Sequence, residues 1–341
     1  MSRYTALSGY LVKRVLLLIP LLFGVTLVTF FLVRIGGTDP AVLMAGPTAT
    51  PEEIQSIDHQ LGTDKPVPEQ YVIYLQQLLH GDMGKSWATG HAVSQEMADR
   101  FPTTLELVFI GMLIAVMYGG GIGFLSGLQR DRPFDHVSRV LTLIGLSVPV
   151  FWVGILFIYV FFFRLGWAPA PLGQLPPTVA PPPHITGAVL IDALITGNLG
   201  YVPMAMAHLA LPALTLGLVE GAAVAKQSRA QVVEVVDSDI VRFARACGLP
   251  RSQIRGLVLR NALPNIVTYI AIILVLMLGG SALVEVVFAW GGVGQFGLDS
   301  ITRSDFAVVQ AYVLILGILS AIIYLVADII IINLDPRMKY G

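Results

Sequence analysis

Apolar positions along this chain fall in long unbroken blocks rather than in the narrow stripes of a soluble helix. Blocks of about 20 residues, enough to cross ~30 Å of hydrocarbon, lie near residues 10–33, 105–128, 137–165, 205–229, 264–288 and 307–333. A backbone in lipid must satisfy its own N–H and C=O groups, so each block is predicted to be a helix, and the count is six spans. The first starts behind Lys13 and Arg14 like a signal segment. Its apolar run, Val15 to Val33, is longer than an ordinary signal core and no small-residue cleavage pattern follows, so it reads as an uncleaved span.

Between the first two blocks the pattern becomes amphipathic. Thr50-Pro51-Glu52-Glu53 places a capping residue, a proline at the first helical position and a glutamate three after the cap. Ile54, Ile57 and Leu61 then share a face, and Gly62 can end the helix. A second helix is expected from Pro68 to His80, with Tyr71, Tyr74, Leu75 and Leu78 on its apolar side. Residues 34–104 are thus predicted to be a small folded cap. After the third block, Pro169, Pro171, Pro176, Pro177 and Pro181 to Pro183 predict an extended connector. The apolar piece Gly187 to Leu194 is too short to span and is expected on the surface.

Composition agrees: 55% of residues are hydrophobic, 13% charged, and mean hydropathy is +0.76. A net charge of −1 conceals an asymmetry. With the N-terminus inside, 15 of the 21 Lys and Arg fall on the cytoplasmic side, which places both termini there. The cap is acidic, with nine Asp or Glu against four Lys or Arg. The single cysteine, Cys247, excludes an intrachain disulfide and a Cys-rich metal site.

Several candidate motifs dissolve on inspection. His80-Gly81-Asp82-Met83-Gly84-Lys85-Ser86 ends like a phosphate-binding loop, but the position that needs the first glycine is Leu79. Gly119-Gly120-Gly121-Ile122-Gly123 sits inside the second block, where small residues let helices approach closely. Met204, Met206 and His208 are read as packing rather than as a soft-metal site. Thr103 with Glu106 is read as a capping box opening span two. Glu220, Glu285 and Asp328 lie in or near later spans, where each should face the bundle interior or a wet cavity; a translocation path and a structural hydrogen bond both account for them. No catalytic constellation, metal site or nucleic-acid signature is found, so no catalytic residue is assigned.

One short segment stands apart. Between spans four and five, the chain is basic and interrupted by proline. Asp237 or Ser238 can cap a helix in which Ile240, Phe243, Ala244 and Cys247 share a stripe; Gly248 supplies a left-handed stop and Pro250 forbids continuation. Ser252 can cap a second short helix carrying Ile254, Leu257, Val258 and Asn261 on one face, with Pro264 opening span five. The arginines follow from attraction to the inner membrane surface. Ala244, Ala246 and Gly248, small beside a protruding Phe243, suit insertion into a partner's cleft.

Arg242-x-Ala244-Arg245-Ala246-x-Gly248, followed by Asn261-Ala262-Leu263-Pro264, resembles the cytoplasmic coupling loop of ABC-importer permeases, more narrowly the dipeptide/oligopeptide/nickel branch. Further islands agree in order and spacing: Asp39-Pro40, Leu61-Gly62-Thr63-Asp64-Lys65-Pro66, His80-Gly81-Asp82, Thr103-Thr104-Leu105-Glu106, Phe134-Asp135-His136, Pro149-x-Phe151-Trp152, His208-x-x-Leu211-Pro212, Gly291-x-x-Gly294 and Asp335-Pro336-Arg337. The loop departs from the wider pattern in having Arg242, Phe243 and Ala244 where Glu-Ala-Ala is usual, and Cys247 where a basic residue commonly precedes the glycine.

The resemblance implies an all-α membrane protein of the type I ABC-importer kind. Its parts would be the N-terminus and span one (1–33), an extracytoplasmic cap (34–104), a core of spans two to six (105–333) containing a coupling loop (232–263), and a cytoplasmic tail (334–341). It implies a permease subunit in a bacterial inner membrane, working with a second homologous permease, two ABC ATPase subunits that bind ATP and Mg, and an extracytoplasmic solute-binding protein. Arg242, Phe243, Ala244, Arg245, Ala246, Gly248 and Leu249 would engage an ATPase. The cargo class is di- or oligopeptides, with a nickel chelate or glutathione-like peptide as alternatives. An ATP-independent channel or carrier is the rival, and neither charge rings nor inverted repeats support it.

Overall fold

The computed structural model describes residues 16–31, 40–45, 49–62 and 64–334. The terminal segments with Arg3, Lys13, Arg14, Arg337 and Lys339, and residues 32–39 with Arg34 and Asp39, lie outside them, so the expectations attached to those positions do too. Among the described residues the chain is helical, with one isolated β-bridge, Lys85 to Ala92. Among these residues four helices are long and apolar enough to cross a membrane: α5 (Val93–Leu128), α9 (Leu199–Val236), α11 (Arg251–Val287) and α13 (Phe306–Leu334). A shorter apolar helix, α1 (Leu16–Phe31), precedes them. The third apolar block is not one helix. It breaks into α6 (Pro133–Ser147) and α7 (Val150–Arg164), bent by 98°. Pro149 is the cause: the residue before it, Val148, is pushed to extended geometry at φ −101° and ψ 129°.

The chain divides into two compact units, Met1–Pro102 with Gly292–Leu319, and Thr103–Gly291 with Ser320–Gly341. In the first, α2 (Pro40–Ala45) and α3 (Pro51–Leu61) precede α4 (Val67–Leu79). The capping box forms as the residue types require: the Glu53 N–H donates to Thr50 Oγ1 at 3.3 Å and the Thr50 N–H donates to Glu53 Oε2 at 2.8 Å. Gly62 ends α3 at φ +68°. On α4, buried Tyr71 packs edge-on against Phe23 and Phe30 of α1, its hydroxyl 3.0 Å from Thr26 Oγ1. A second cluster joins Val93 and Met97 of α5 to Val293 of α12 (Val293–Thr302) and to Val308, Ala311 and Tyr312 of α13. Asp305 accepts the Ser86 hydroxyl at 2.5 Å and the Ala88 N–H at 3.4 Å. Residues 83–101 therefore complete their core with residues some 200 positions further along the chain.

The second unit is organised around α9. Gly119, Gly123 and Gly127 recur every four residues on one face of α5, whose backbone widens into a π-turn over Ala115–Gly120. A Cβ on Gly119 would fall on the Gly221 carbonyl, and one on Gly123 on the Ala225 carbonyl. On Gly127 it would lie 2.6 Å from Val232, and on Gly217 it would lie 2.7 Å from Ile114. The glycine cluster therefore does what its placement in an apolar helix predicts: it lets two backbones touch. The Tyr118 hydroxyl seals the seam by donating to the Leu218 carbonyl at 2.8 Å.

The loop after α7 is better tethered than its prolines suggest. His208 Nδ1 lies 2.9 Å from the Gly173 carbonyl, and the Gly173 N–H donates to Phe288 O at 3.1 Å. Gln174 accepts the Val189 N–H at 2.9 Å and donates to Thr103 Oγ1 at 3.2 Å. His208 is thus engaged by backbone. The short apolar piece is α8 (Val189–Ile195), which buries Val189, Asp192 and Ala193 and leaves Leu194 and Ile195 exposed. Asp192 accepts the N–H groups of Ile185, Thr186 and Gly187 and the Thr186 hydroxyl.

The capping box expected to open span two also fails. Thr103 does not open span two, because α5 begins ten residues earlier at Val93 and runs through Pro102. Thr103 and Thr104 are spent on tertiary bonds, donating to Gly187 O at 3.0 Å and to Glu285 Oε1 at 2.8 Å. Glu106 makes no capping box and is buried with Oε1 unbonded.

Gly123→Leu should unseat α5 from α9, costing about 2–3 kcal/mol or more from overpacking. Gly120→Ala, where a Cβ meets nothing within 4 Å, should be silent. Thermal unfolding of the purified protein in detergent separates the two. Burial pushes the Asp192 carboxyl up, but the bonds from Thr186, Gly187 and Ile185 outweigh it and hold it below the ordinary carboxylate range. Its contribution is therefore complete above about pH 5 and fades as the pH falls below about 4. Protease nicking of residues 165–188 should rise on acidification in the native protein, and Asp192→Asn should remove that dependence.

Candidate functional site

α9 ends at Val236, and after Asp237 and Ser238 the chain enters α10 (Asp239–Ala246), a two-turn helix. Ser238 occupies the capping position but its hydroxyl donates to Val235 O at 2.6 Å instead of capping. Gly248, at φ +71°, closes the helix. Its N–H donates to Arg245 O at 3.0 Å and that of Leu249 to Ala244 O at 3.2 Å, the paired bonds of a glycine-terminated helix. A residue with a Cβ is strained at that angle.

Of the stripe expected from the sequence, only Ala244 turns inward. Val241 and Ala244 are the buried residues, at 0% and 4% exposure, whereas Ile240, Phe243 and Cys247 face outward. A two-turn helix buries a narrow strip, and the wall opposite decides which one. That wall is formed by Val232 of α9 with Val258, Ala262 and Ile266 of α11, and is completed by Phe124 and Leu128 of α5. Asn261, expected on the packed face of the second helix, is exposed. Nor is there a separate second helix: α11 starts behind Pro250, not at a Ser252 cap, and continues without a break through Pro264. Buried Pro264 is tolerated inside it, as prolines are in membrane helices.

Two polar ties fix the base. Arg130, in the turn between α5 and α6, donates to Asp237 Oδ2 at 2.6 Å. Asn265 of α11 donates to Gln231 Oε1 of α9 at 2.6 Å. Further back, fully buried Asp135 receives both arms of Arg229, at 2.5 and 2.8 Å, and the Ser126 hydroxyl at 2.5 Å. This clamp joins α5, α6 and α9. The island Phe134-Asp135-His136 carries no local sign of it, since Arg229 lies 94 positions away.

The outward face carries Arg242, Phe243, Arg245, Ala246, Gly248 and Leu249, all exposed; Phe243 is 73% exposed. Ala244 alone of the seven site candidates turns inward. A protruding aromatic ring, flanked by guanidinium groups on a helix whose reverse side is locked into three long helices, can bear load against another surface. The intramembrane carboxylates do not form a comparable group. Glu285 is fully buried and accepts from Thr104 and from Ser281, the latter at 3.3 Å. Glu220 lies half-buried on α9 and Asp328 half-buried on α13. Among the described residues no three His, Cys, Asp or Glu come together to hold a metal ion.

Residues 119–340 match the family described as binding-protein-dependent transport system inner membrane component, and residues 7–108 match the N-terminal membrane component of the same systems. The chain is 39% identical over 322 residues to a probable D,D-dipeptide transport system permease protein of Escherichia coli K12, covering 93% of this chain and 94% of that one. It is 37% identical over 334 residues to a di/tripeptide transport system permease protein of Pseudomonas aeruginosa, covering 97% and 99%. It is 34% identical over 335 residues to a glutathione transport system permease protein of Escherichia coli CFT073, again covering 97% and 99%.

Asp135→Asn should cost about 3 kcal/mol in thermal unfolding, because Arg229 keeps its charge and loses its partner. Phe243→Ala should leave stability within about 0.5 kcal/mol, as expected of an exposed side chain without a buried partner.

Proposed function

The chain belongs to the binding-protein-dependent transport system inner membrane components, and from that premise we propose that it is a permease subunit of an ATP-driven importer of di- and oligopeptides. The observation that carries the reading is α10, an exposed aromatic and cationic surface rigidly seated on two membrane helices. Concentrating a solute costs about 1.4 kcal/mol per tenfold gradient. This chain offers no motif for nucleotide hydrolysis, so the work arrives from two partner ATPases holding ATP and Mg. Phe243, with Arg242, Arg245, Ala246 and Leu249 around it, enters a groove of one ATPase. Gly248 sets the angle at which the helix is presented. When the ATPases close, α10 moves and takes α9 and α11 with it, since Val241 and Ala244 leave little slack.

In this assembly α1 and the bent pair α6–α7 complete six crossings, and the excess of Lys and Arg puts both termini and α10 in the cytoplasm. The segment 34–104 then faces outward, where it and the residues it packs on receive a loaded solute-binding protein. A second homologous permease supplies the other half of the path, to which Glu220 and Asp328 contribute, while Glu285 braces α11 on α5 near its mouth. The relatives named for D,D-dipeptides, di- and tripeptides and glutathione share one chemistry, a short peptide. We assign this chain the same class, with a glutathione-like tripeptide as the alternative. The external receptor makes the final choice.

The test is reconstitution of the complete transporter in liposomes with labelled dipeptide. Wild type should accumulate peptide only with ATP, the ATPases and the receptor present. Phe243→Ala and Gly248→Trp should each lower uptake and receptor-stimulated ATP hydrolysis at least tenfold while membrane insertion stays normal. Unchanged uptake in both variants, or accumulation by this chain alone, would overturn the assignment.

A further inference from the structure

We propose that a groove between α5, α6 and α9 holds the headgroup of an anionic glycerophospholipid, with Arg139 and Lys226 binding its phosphate. The groove has a volume of about 260 Å³ and its walls are mainly carbon, including Ile122, Leu143 and Ala225. The polar atoms inside it are already engaged. Ser126 donates to Asp135, Ser138 to Ser126 at 2.9 Å, and Thr142 to the Ser138 carbonyl at 2.6 Å. Arg229 is neutralised by Asp135. Two cations remain. Arg139 touches only the ring nitrogen Nδ1 of His136, at 2.6 Å, and Lys226 pairs with no carboxylate among the described residues. Both are exposed.

An apolar groove edged by two unbalanced positive charges asks for a ligand that is anionic at one end and greasy at the other. Depth selects a lipid. α9 has 38 residues, about 57 Å of helix, against ~30 Å of hydrocarbon. Lys226 lies about 15 Å before its end at Val236, and Arg139 about 9 Å after the start of α6, so each sits within three turns of a helix end, as cations that bind a headgroup phosphate at the membrane surface would. Beside the groove, Val140, Leu141, Leu143 and Ile144 of α6 are 56–62% exposed and present a surface for acyl chains. The inference rests on membrane insertion and is independent of the peptide and docking assignments.

The full chain, purified in detergent and offered equal phosphatidylglycerol and phosphatidylcholine, should retain the anionic lipid at least fivefold more often in native mass spectrometry. Arg139→Gln with Lys226→Gln should bring the ratio near one without shifting the melting temperature of the lipid-free protein. Arg255→Gln, an exposed cation of α11 outside the groove, should keep the preference. No preference in the native protein, or an undiminished one in the double variant, overturns the proposal. A photoreactive side chain at Leu143, used in membranes containing the whole transporter, should crosslink to lipid. Capture of a polypeptide there instead would show that a protein chain covers the groove, and would overturn it equally.

Discussion

The contact between α5 and α9 is the constraint on which the larger unit depends. Lipid is as apolar as leucine, so no hydrophobic force drives two helices together within it; close packing and hydrogen bonds must do so. Gly119 meets Gly221, Gly123 meets Ala225, Gly127 meets Val232 and Gly217 meets Ile114 at distances where a single added methyl would strike backbone or side chain. At that approach each turn gains many small dispersion contacts. α6, α7 and α11 then pack around α9, which is why its middle is buried although its composition is that of an ordinary span.

Polar groups are used at the places where this packing alone would leave a joint loose. Asp135 is fully buried, yet it is satisfied by a forked arginine, a serine hydroxyl and the Asp131 N–H at 3.0 Å. A carboxylate so surrounded acts as a rivet, because any motion that separates its partners leaves a buried charge uncompensated. Thr104 with Glu285 does the same between α5 and α11, and the indole of Trp290 donates to the Thr103 carbonyl at 3.2 Å close by. The unit is thus stiff between α5, α9 and α11. α10 is seated on this stiff base through Val241, which packs with Val232 of α9 and Val258 of α11.

Some of this was legible in the residues alone. The apolar blocks located the long helices because hydrocarbon thickness imposes a length on any crossing. The capping box at Thr50 and Glu53, the stop at Gly62 and the left-handed closure at Gly248 were legible because each is settled within about four residues. The same local rules misled wherever a residue served a distant partner. Thr103 and Glu106 have the spacing of a cap but lie inside a helix that began earlier, and Pro264 has the look of a helix start but sits within one. Ile240, Phe243, Ala244 and Cys247 make a plausible stripe; against the wall offered by Val232 and Val258 only Ala244 of the four is buried, together with Val241.

The sequence by itself determined that this is a helical membrane protein, where its long helices lie and where a basic, glycine-ended turn interrupts them. Those features depend on the solvent a segment must occupy and on bonds to near neighbours, and both are written in composition and short-range order. Only the tertiary structure decided which side of α10 points outward, that Asp135 belongs to Arg229, that the segment before α5 shares a core with residues 292–319, and that the third block is folded at Pro149. Each of these depends on groups far apart in the chain competing for one surface, and the winner is set by shape and by which buried polar atom would otherwise go unpaired.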